Sequence, residues 1–277
     1  MKKRFLCLLL LIFAVALLAG CSNSNRLRLG TGNVGGKYYS FGNTLKDSVD
    51  KGNYDFTLEV KETAGSAANL RLIADGFVDA AIVQSDILSD AQNGTGLFLN
   101  NAVSGLTEIS NLYIEQCQIV IPAGADIHSL SDLAGKKLAI GEAESGVSVI
   151  AKLILQAAGI KKEAAELINL SFKDSAKALK DGEIDAFFIM AGAPVEILTE
   201  LADETDIRLL PLDEHIISYM TGLYDGYVKT TVPANTYKGV TEDTATIGVQ
   251  AVLVAGKKVS EKNIELLKGI VDADNSF

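Results

Sequence analysis

The sequence predicts an α/β protein built as two similar lobes, and three observations carry that expectation. First, segment 75–86, Asp-Gly-Phe-Val-Asp-Ala-Ala-Ile-Val-Gln-Ser-Asp, has an echo at 181–192, Asp-Gly-Glu-Ile-Asp-Ala-Phe-Phe-Ile-Met-Ala-Gly. Each copy reads as a helix end, a tight turn and an apolar strand, with Gly76 and Gly182 suited to the left-handed position that stops a helix. Second, 80–83 and 186–189 lack polar/apolar alternation, which predicts strands buried on both faces. Third, a strand running into a small-residue loop and then a helix occurs twice, around Gly30–Gly36 and around Gly141–Ser148. At 277 residues the chain is long enough for two modest lobes, with whatever it handles held between them.

Taken in order, 26–31 reads as the first strand, with Leu27 and Leu29 alternating, and runs into Gly30-Thr31-Gly32-Asn33-Val34-Gly35-Gly36. Formally this matches the G-x-G-x-x-G dinucleotide fingerprint. Lys37-Tyr38-Tyr39 follows, where a nucleotide-binding helix wants small packing residues, so the loop reads instead as an anion-friendly helix N-terminus. A helix is expected over 38–49 and a strand over 56–61. Ser66 is placed as N-cap of a helix over 67–74, with Asn69 one turn in. After strand 80–83, Ser85 or Asp86 is expected to cap the next helix; 93–101 reads as surface loop and 106–121 as a strand leaving the first lobe. The second lobe opens with a short helix capped near Ser129. Strand 137–140, helix 149–158, strand 167–172, helix 175–180 and the echo strand follow. Pro194 suits the first turn of the next helix. Residues 207–212 form a strand, 219–237 read as irregular chain crossing back, 245–255 as a strand, and Ser260 caps a last helix ending near Asp272. Segments 117–122 and 234–245 are expected to act as the hinge.

Residues 1–20 combine Lys2, Lys3 and Arg4 with an apolar run over 5–18, too short for a comfortable membrane span. Leu18-Ala19-Gly20-Cys21 resembles the bacterial lipobox, which implies cleavage before Cys21 and lipid attachment to it. An ordinary signal peptide or an uncleaved anchor helix are the alternatives. Several acyl chains hold a protein at a membrane, with 21–26 as a tether. The formal charge of −10, more negative once the leader's three cations are gone, argues against nucleic acid as a partner. Cys117, in Gln-Cys-Gln-Ile-Val-Ile, reads as a buried structural cysteine with no cation nearby to activate it. His128 and His215 are the only histidines. With no nucleophile–base pair and no H-E-x-x-H or Cys/His cluster, neither catalysis nor a metal or cofactor is expected.

Several motifs in order resemble one family. They are Gly30-Thr31-Gly32 through Gly36-Lys37-Tyr38-Tyr39, Gly65-Ser66-Ala67-Ala68-Asn69-Leu70-Arg71-Leu72 and Val83-Gln84-Ser85-Asp86. Ser129-Leu130-Ser131-Asp132-Leu133-Ala134-Gly135-Lys136 and Asp185-Ala186-Phe187-Phe188 through Gly192-Ala193-Pro194 continue the series. Together with the lipobox they are similar to the TAXI family, the solute receptors of one class of TRAP transporters. The resemblance implies a type II periplasmic-binding-protein fold, with lobe 1 over 27–120 and 242–277 and lobe 2 over 121–241. It also implies a helical stretch beyond Phe277. The implied role is that of an extracytoplasmic, lipid-anchored, monomeric receptor handing a small organic acid or amino acid, glutamate-like, to an ion-gradient-driven permease. An ABC importer's receptor and a cleft enzyme with Asp86 and Glu144 facing each other are the alternative readings.

The expected ligand contacts are Gly35, Gly36, Tyr38 and Tyr39, then Ser66 and Asn69, then Gln84, Ser85 and Asp86. Glu144, Ser145, Gly146, Val147 and Ser148 of the second-lobe loop, where the family reads closer to Gly-Ser-Gly-Thr, and Gly192 complete the set. Opposed helix N-termini can hold a carboxylate through amides and hydroxyls, and only one of the two tyrosines is expected to face the ligand. No arginine falls in these loops, Arg71 reading as a surface residue, so amides, hydroxyls and Gln84 are expected to hold the ligand. Glu144 and Asp86 are candidates to receive an amino group, or else are solvated loop charges.

Overall fold

A computed structural model of the chain describes residues 25–273; the leader and Cys21 lie outside them. Strands β1 (Arg26–Gly30), β2 (Thr57–Lys61) and β3 (Ala80–Gln84) alternate with helices α1 (Lys37–Gly52), α2 (Ser66–Asp75) and α3 (Ser85–Asn93). The 16-residue strand β4 (Thr107–Pro122) then leaves this lobe. In the second lobe β5 (Lys137–Ala139), α4 (Gly146–Ala157), β6 (Glu166–Ile168), α5 (Phe172–Lys180) and β7 (Ala186–Ala191) repeat the alternation. They are followed by α6 (Glu196–Glu204), β8 (Ile207–Leu209), α7 (Glu214–Leu223) and β9 (Val228–Val232). Strand β10 (Thr244–Ala255) returns to the first lobe, where α8 (Glu261–Ala273) packs.

One mixed sheet runs through both lobes in the order β2-β1-β3-β10-β4-β7-β5-β6, with β8 added on β4 and β9 on β10. The outer pairs are parallel, while β10 and β4 lie antiparallel to each other and to β3 and β7. The passage between lobes can be read from the row of alternate side chains along β10. Ile247 and Val249 sit in the second lobe's core, and Ala251, Leu253 and Ala255 in the first's. On β4 the corresponding change falls between Tyr113, packed on the first core, and Cys117, in the second.

Both faces of each lobe's sheet are covered, which is why the central strands show no alternation. In β3, Ala80 and Ile82 enter one core while Ala81 and Val83 enter the core on the opposite face. In β7, Ala186, Phe188 and Met190 divide in the same way from Phe187, Ile189 and Ala191. The internal echo has a physical basis. After α2, the amides of Gly76, Phe77 and Val78 return to the carbonyls of Ile73 and Leu72; after α5, those of Gly182, Glu183 and Ile184 return to Leu179 and Ala178. Gly76 and Gly182 have φ of 76° and 73°, the left-handed stop expected of them. The second aspartate of each copy then clamps the neighbouring parallel strand. Asp79 exchanges its amide and carboxylate with the Arg28 backbone, and Asp185 does the same with Lys137.

Several local expectations are corrected. Residues 219–237 are not irregular throughout: they contain the end of α7 and all of β9, which pairs with β10 from Val228↔Gly248 to Val232↔Thr244. Pro194 precedes the N-cap Val195 of α6 instead of entering its first turn. Neither Ser85 nor Asp86 caps α3, whose N-cap is Gln84, and Ser66 is the first residue of α2 behind the N-cap Gly65. Helix α4 begins three residues earlier than read, because Ser145 Oγ accepts the Ser148 amide and caps it. The cap expected near Ser129 is present: Ser129 and Asp132 form a capping box on a one-turn 3-10 helix, Leu130–Leu133. Cys117 is buried and free, and burial pushes its thiol up to about 12, so it is inert as read. Among the described residues no helix is long and apolar enough to cross a membrane.

Candidate ligand-binding cleft

The loops after β1 and β2, the end of β3 and the N-terminus of α4 converge on a cleft between the lobes. Of the residues singled out from sequence, Gly36, Tyr38, Ser66, Gln84, Ser145, Gly146 and Val147 line it. Lys37, inside the first expected loop, also lines it, and so do Glu115, Glu142, Phe172 and Met190, which were not anticipated. Three helix N-termini, those of α1, α2 and α4, thus face one space, each contributing partly unsatisfied amides and a positive dipole end.

Glu115 is 2% exposed, on the cleft side of β4. From Tyr113 onward every second residue of β4 faces the same way: Tyr113, Glu115, Cys117, Ile119, Ile121. Glu115 is therefore the member of an otherwise largely apolar row that falls between the two cores. Gln84 Nε2 donates to its Oε2 at 2.8 Å and the Tyr38 hydroxyl at 3.3 Å. Burial pushes its carboxyl up to about 8, with the nearby Asp86 adding to the shift and the two hydrogen bonds opposing it. The Ser66 hydroxyl accepts the Gln84 amide at 3.0 Å, so Ser66 positions Gln84 from the side. Gln84 Oε1 and Ser148 Oγ are buried without a hydrogen-bond partner.

The other expected contacts have work elsewhere. Asn69 is fully buried beneath the loops, its Nδ2 donating to Thr31 and Ile82 carbonyls and its Oδ1 accepting from the Thr63 hydroxyl. Asp86 accepts a 2.5 Å hydrogen bond from the Tyr227 hydroxyl. Burial lifts its carboxyl to about 6, against the bonds from Tyr227 and Ile87. Glu144 pairs with Arg71 at 2.8 Å, so neither acid candidate for an amino group lines the cleft. Gly35, Tyr39, Ser85 and Gly192 do not line it either; Gly192 lies behind it against the Tyr113 ring.

The lobes are closed on each other. Asn33 donates to Glu142 at 2.5 Å and accepts the Phe172 amide at 3.1 Å, and the Ala68 amide donates to the Glu144 carbonyl at 3.1 Å. Arg71 is not a free surface residue: its guanidinium lies over the Phe98 ring, holds the Leu97 carbonyl and reaches across to Glu144. Both partners of that pair are 43% exposed, so its contribution is small, under about 1 kcal/mol. Arg71→Ala is accordingly expected to weaken ligand binding only about two- to five-fold, read by calorimetric titration, with the difference from wild type shrinking as salt is added.

A family model described as the NMT1-like family matches residues 29–273. Among solved structures, the periplasmic aliphatic sulphonate binding protein SsuA from Escherichia coli is 18% identical, aligned over 89% of this chain and 70% of that one, with a TM-score of 0.52. An arginine-bound variant of ArgBP from T. maritima is 11% identical over 90% of this chain and 95% of that one, TM-score 0.55. A putative L-cystine ABC transporter protein from Listeria monocytogenes is 14% identical over 90% and 89%, TM-score 0.52. The fold is thus the two-lobed α/β architecture of type II periplasmic binding proteins, and the chain belongs to the NMT1-like family.

Proposed function

We propose that this protein is an extracytoplasmic receptor that closes its two lobes on one small solute and delivers it to a membrane permease. The observation that carries the reading is the closed cleft itself. Its walls come from both lobes, three helix N-termini face it, and Gln84, which lines it, keeps its Oε1 buried with no protein partner. Buried polar atoms without partners are rare in native proteins and call for a guest or ordered water. The solute class is a small organic acid or amino acid, glutamate-like in size, with its carboxylate toward the helix ends. Cys21, carrying lipid after cleavage of 1–20, ties the receptor to the membrane through the 21–26 tether. The two lobes move about β4 and β10 where these strands pass from one core to the other, between Tyr113 and Cys117 and between Val249 and Ala251, in a monomer, and no catalytic step is assigned.

The permease is the less constrained part. ABC transporters are named for solved proteins of this fold, and an ABC importer is the better-supported partner. A TRAP permease rests on the TAXI motif resemblance alone. An ATPase gene beside this one would favour the first, and a large multi-span permease gene without an ATPase the second. The receptor reading is tested by thermal shift against amino acids and organic acids, since a ligand that binds only the native state raises the melting temperature. Small-angle scattering should show compaction with any compound that scores. A screen with no stabilising compound, and mutations at Gln84 without effect on any binding, would sink it.

A further inference from the structure

The guest's chemistry can be narrowed, on the reading that the cleft holds a solute. Among the described residues, the two donors that reach Glu115, Gln84 Nε2 and the Tyr38 hydroxyl, both fall on Oε2. Gln84, 2% exposed and lining the same cleft, keeps its Oε1 without a partner. An unpartnered acceptor, Gln84 Oε1, therefore stands beside a buried carboxyl group on the cleft's inner wall. The charged lining is Lys37 against Glu115 and Glu142, and the described arginines are committed elsewhere. Arg26 pairs with Glu59, Arg28 with Asp79 and Arg71 with Glu144, while Arg208 holds the Ala123, Ala125 and Ile127 carbonyls. A plain dicarboxylate would enter with no arginine to meet it and a buried carboxyl group in its path.

We infer that Glu115, steadied by Tyr38 and Gln84, accepts the protonated amino group of the guest, which is therefore an amino-acid-like zwitterion and not a simple carboxylic acid. Its carboxylate lies toward the N-termini of α1, α2 and α4. Glu115 takes the role that sequence reading gave to Glu144 and Asp86, whose oxygens are held by Arg71 and Tyr227. The titratable groups that act on Glu115 are Tyr38 from α1, Asp86 from α3 and Tyr113 from its own strand. Lys37 and Glu142 share the cleft wall. In the closed arrangement burial holds the Glu115 carboxyl at about 8, so it is mostly protonated near neutral pH, and an ammonium group enclosed there must displace that proton.

The test is calorimetric titration of the whole protein with three matched series: amino acids, their deaminated acids (glutarate for glutamate, succinate for aspartate) and their decarboxylated amines. An amino acid is expected to bind, and its deaminated partner about 10- to 100-fold more weakly. Titrations in buffers of different ionisation enthalpy should show proton release near neutral pH. Glu115→Gln, nearly isosteric, should lose both the proton release and the discrimination, whereas Glu115→Asp should keep the discrimination at lower affinity and serves if the glutamine variant does not fold. A deaminated acid binding as tightly as its amino acid, or unchanged discrimination in a folded Glu115→Gln protein, overturns the inference and leaves the receptor reading standing. No binding in any series overturns both.

Discussion

Replacing Asn69 by alanine is expected to lower the melting temperature by roughly 5–15 °C, from about 2–4 kcal/mol lost at about 2–4 °C per kcal/mol for a chain of this size. Asn69 has no exposed surface, and its amide spans three pieces of backbone and loop. Nδ2 donates to Thr31 O at 2.6 Å and to Ile82 O at 2.9 Å, and Oδ1 accepts from Thr63 Oγ1 at 2.7 Å. The alanine variant leaves the Thr31 carbonyl with one fewer donor, strips the Ile82 carbonyl of its side-chain donor and opens a small void. Asn69→Asp is expected to be worse, because a carboxylate cannot donate to either carbonyl and is buried without a cation. The effect should reach the ligand as well, since Thr31 begins the first cleft loop and Thr63 Oγ1 accepts the Gly65 amide in the second. Thermal unfolding followed by circular dichroism checks the claim; a melting temperature within 2 °C of wild type for the alanine variant would show that these bonds contribute nothing net, an outcome well under the usual cost of a buried, unpaired carbonyl.

Asn69 also marks the boundary of what the sequence discloses. Its place one turn into α2, near the cleft end, is legible from the spacing. Its direction is not, because that depends on Gly30: a Cβ there would lie 2.6 Å from Asn69 Oδ1, so the amide turns inward over a glycine that is close only in three dimensions. The same holds for Ser66, read as a cap and found accepting the Gln84 amide from 18 positions away. Features set by short-range chemistry were readable: the Asp-Gly turns, the unalternating central strands, the Ser129–Asp132 box. Residues 219–237 misled because their tyrosines, threonines and glycines carry loop composition, while the pairing of β9 with β10 is a tertiary decision. Glu115 carries a signal visible in the sequence. A carboxylate standing in step with Cys117, Ile119 and Ile121 on one face of a strand is a buried charge, and a buried charge needs a reason. What the sequence cannot supply is that this face passes from one core to the other between Tyr113 and Cys117, leaving Glu115 opposite Gln84.

The second large effect is expected at the opposite wall. Gly146→Ala should weaken ligand binding by about 100-fold while leaving the melting temperature of the empty protein unchanged or slightly higher. Gly146 is the first residue of α4, in the second lobe, and Gln84 belongs to the first. In the closed arrangement a Cβ on Gly146 would stand 1.8 Å from Gln84 Oε1 and 2.4 Å from its Cδ. Such overlap is relieved only if the Gln84 side chain withdraws, and withdrawal breaks its 2.8 Å bond to Glu115, or if the lobes stay apart. The backbone raises no objection, since Gly146 is not among the residues with positive φ, and alanine in a helix is favoured over glycine by up to about 1 kcal/mol. The substitution therefore separates two quantities that most mutations change together. Fold stability is held or gained, and closure is lost. Scattering of the variant with a saturating ligand should retain the open dimensions that wild type shows without one, and calorimetry should report the weakened affinity. Tight binding with full compaction in Gly146→Ala would mean that α4 and Gln84 do not meet when the lobes close, and the account of the cleft given by their contact would have to be abandoned.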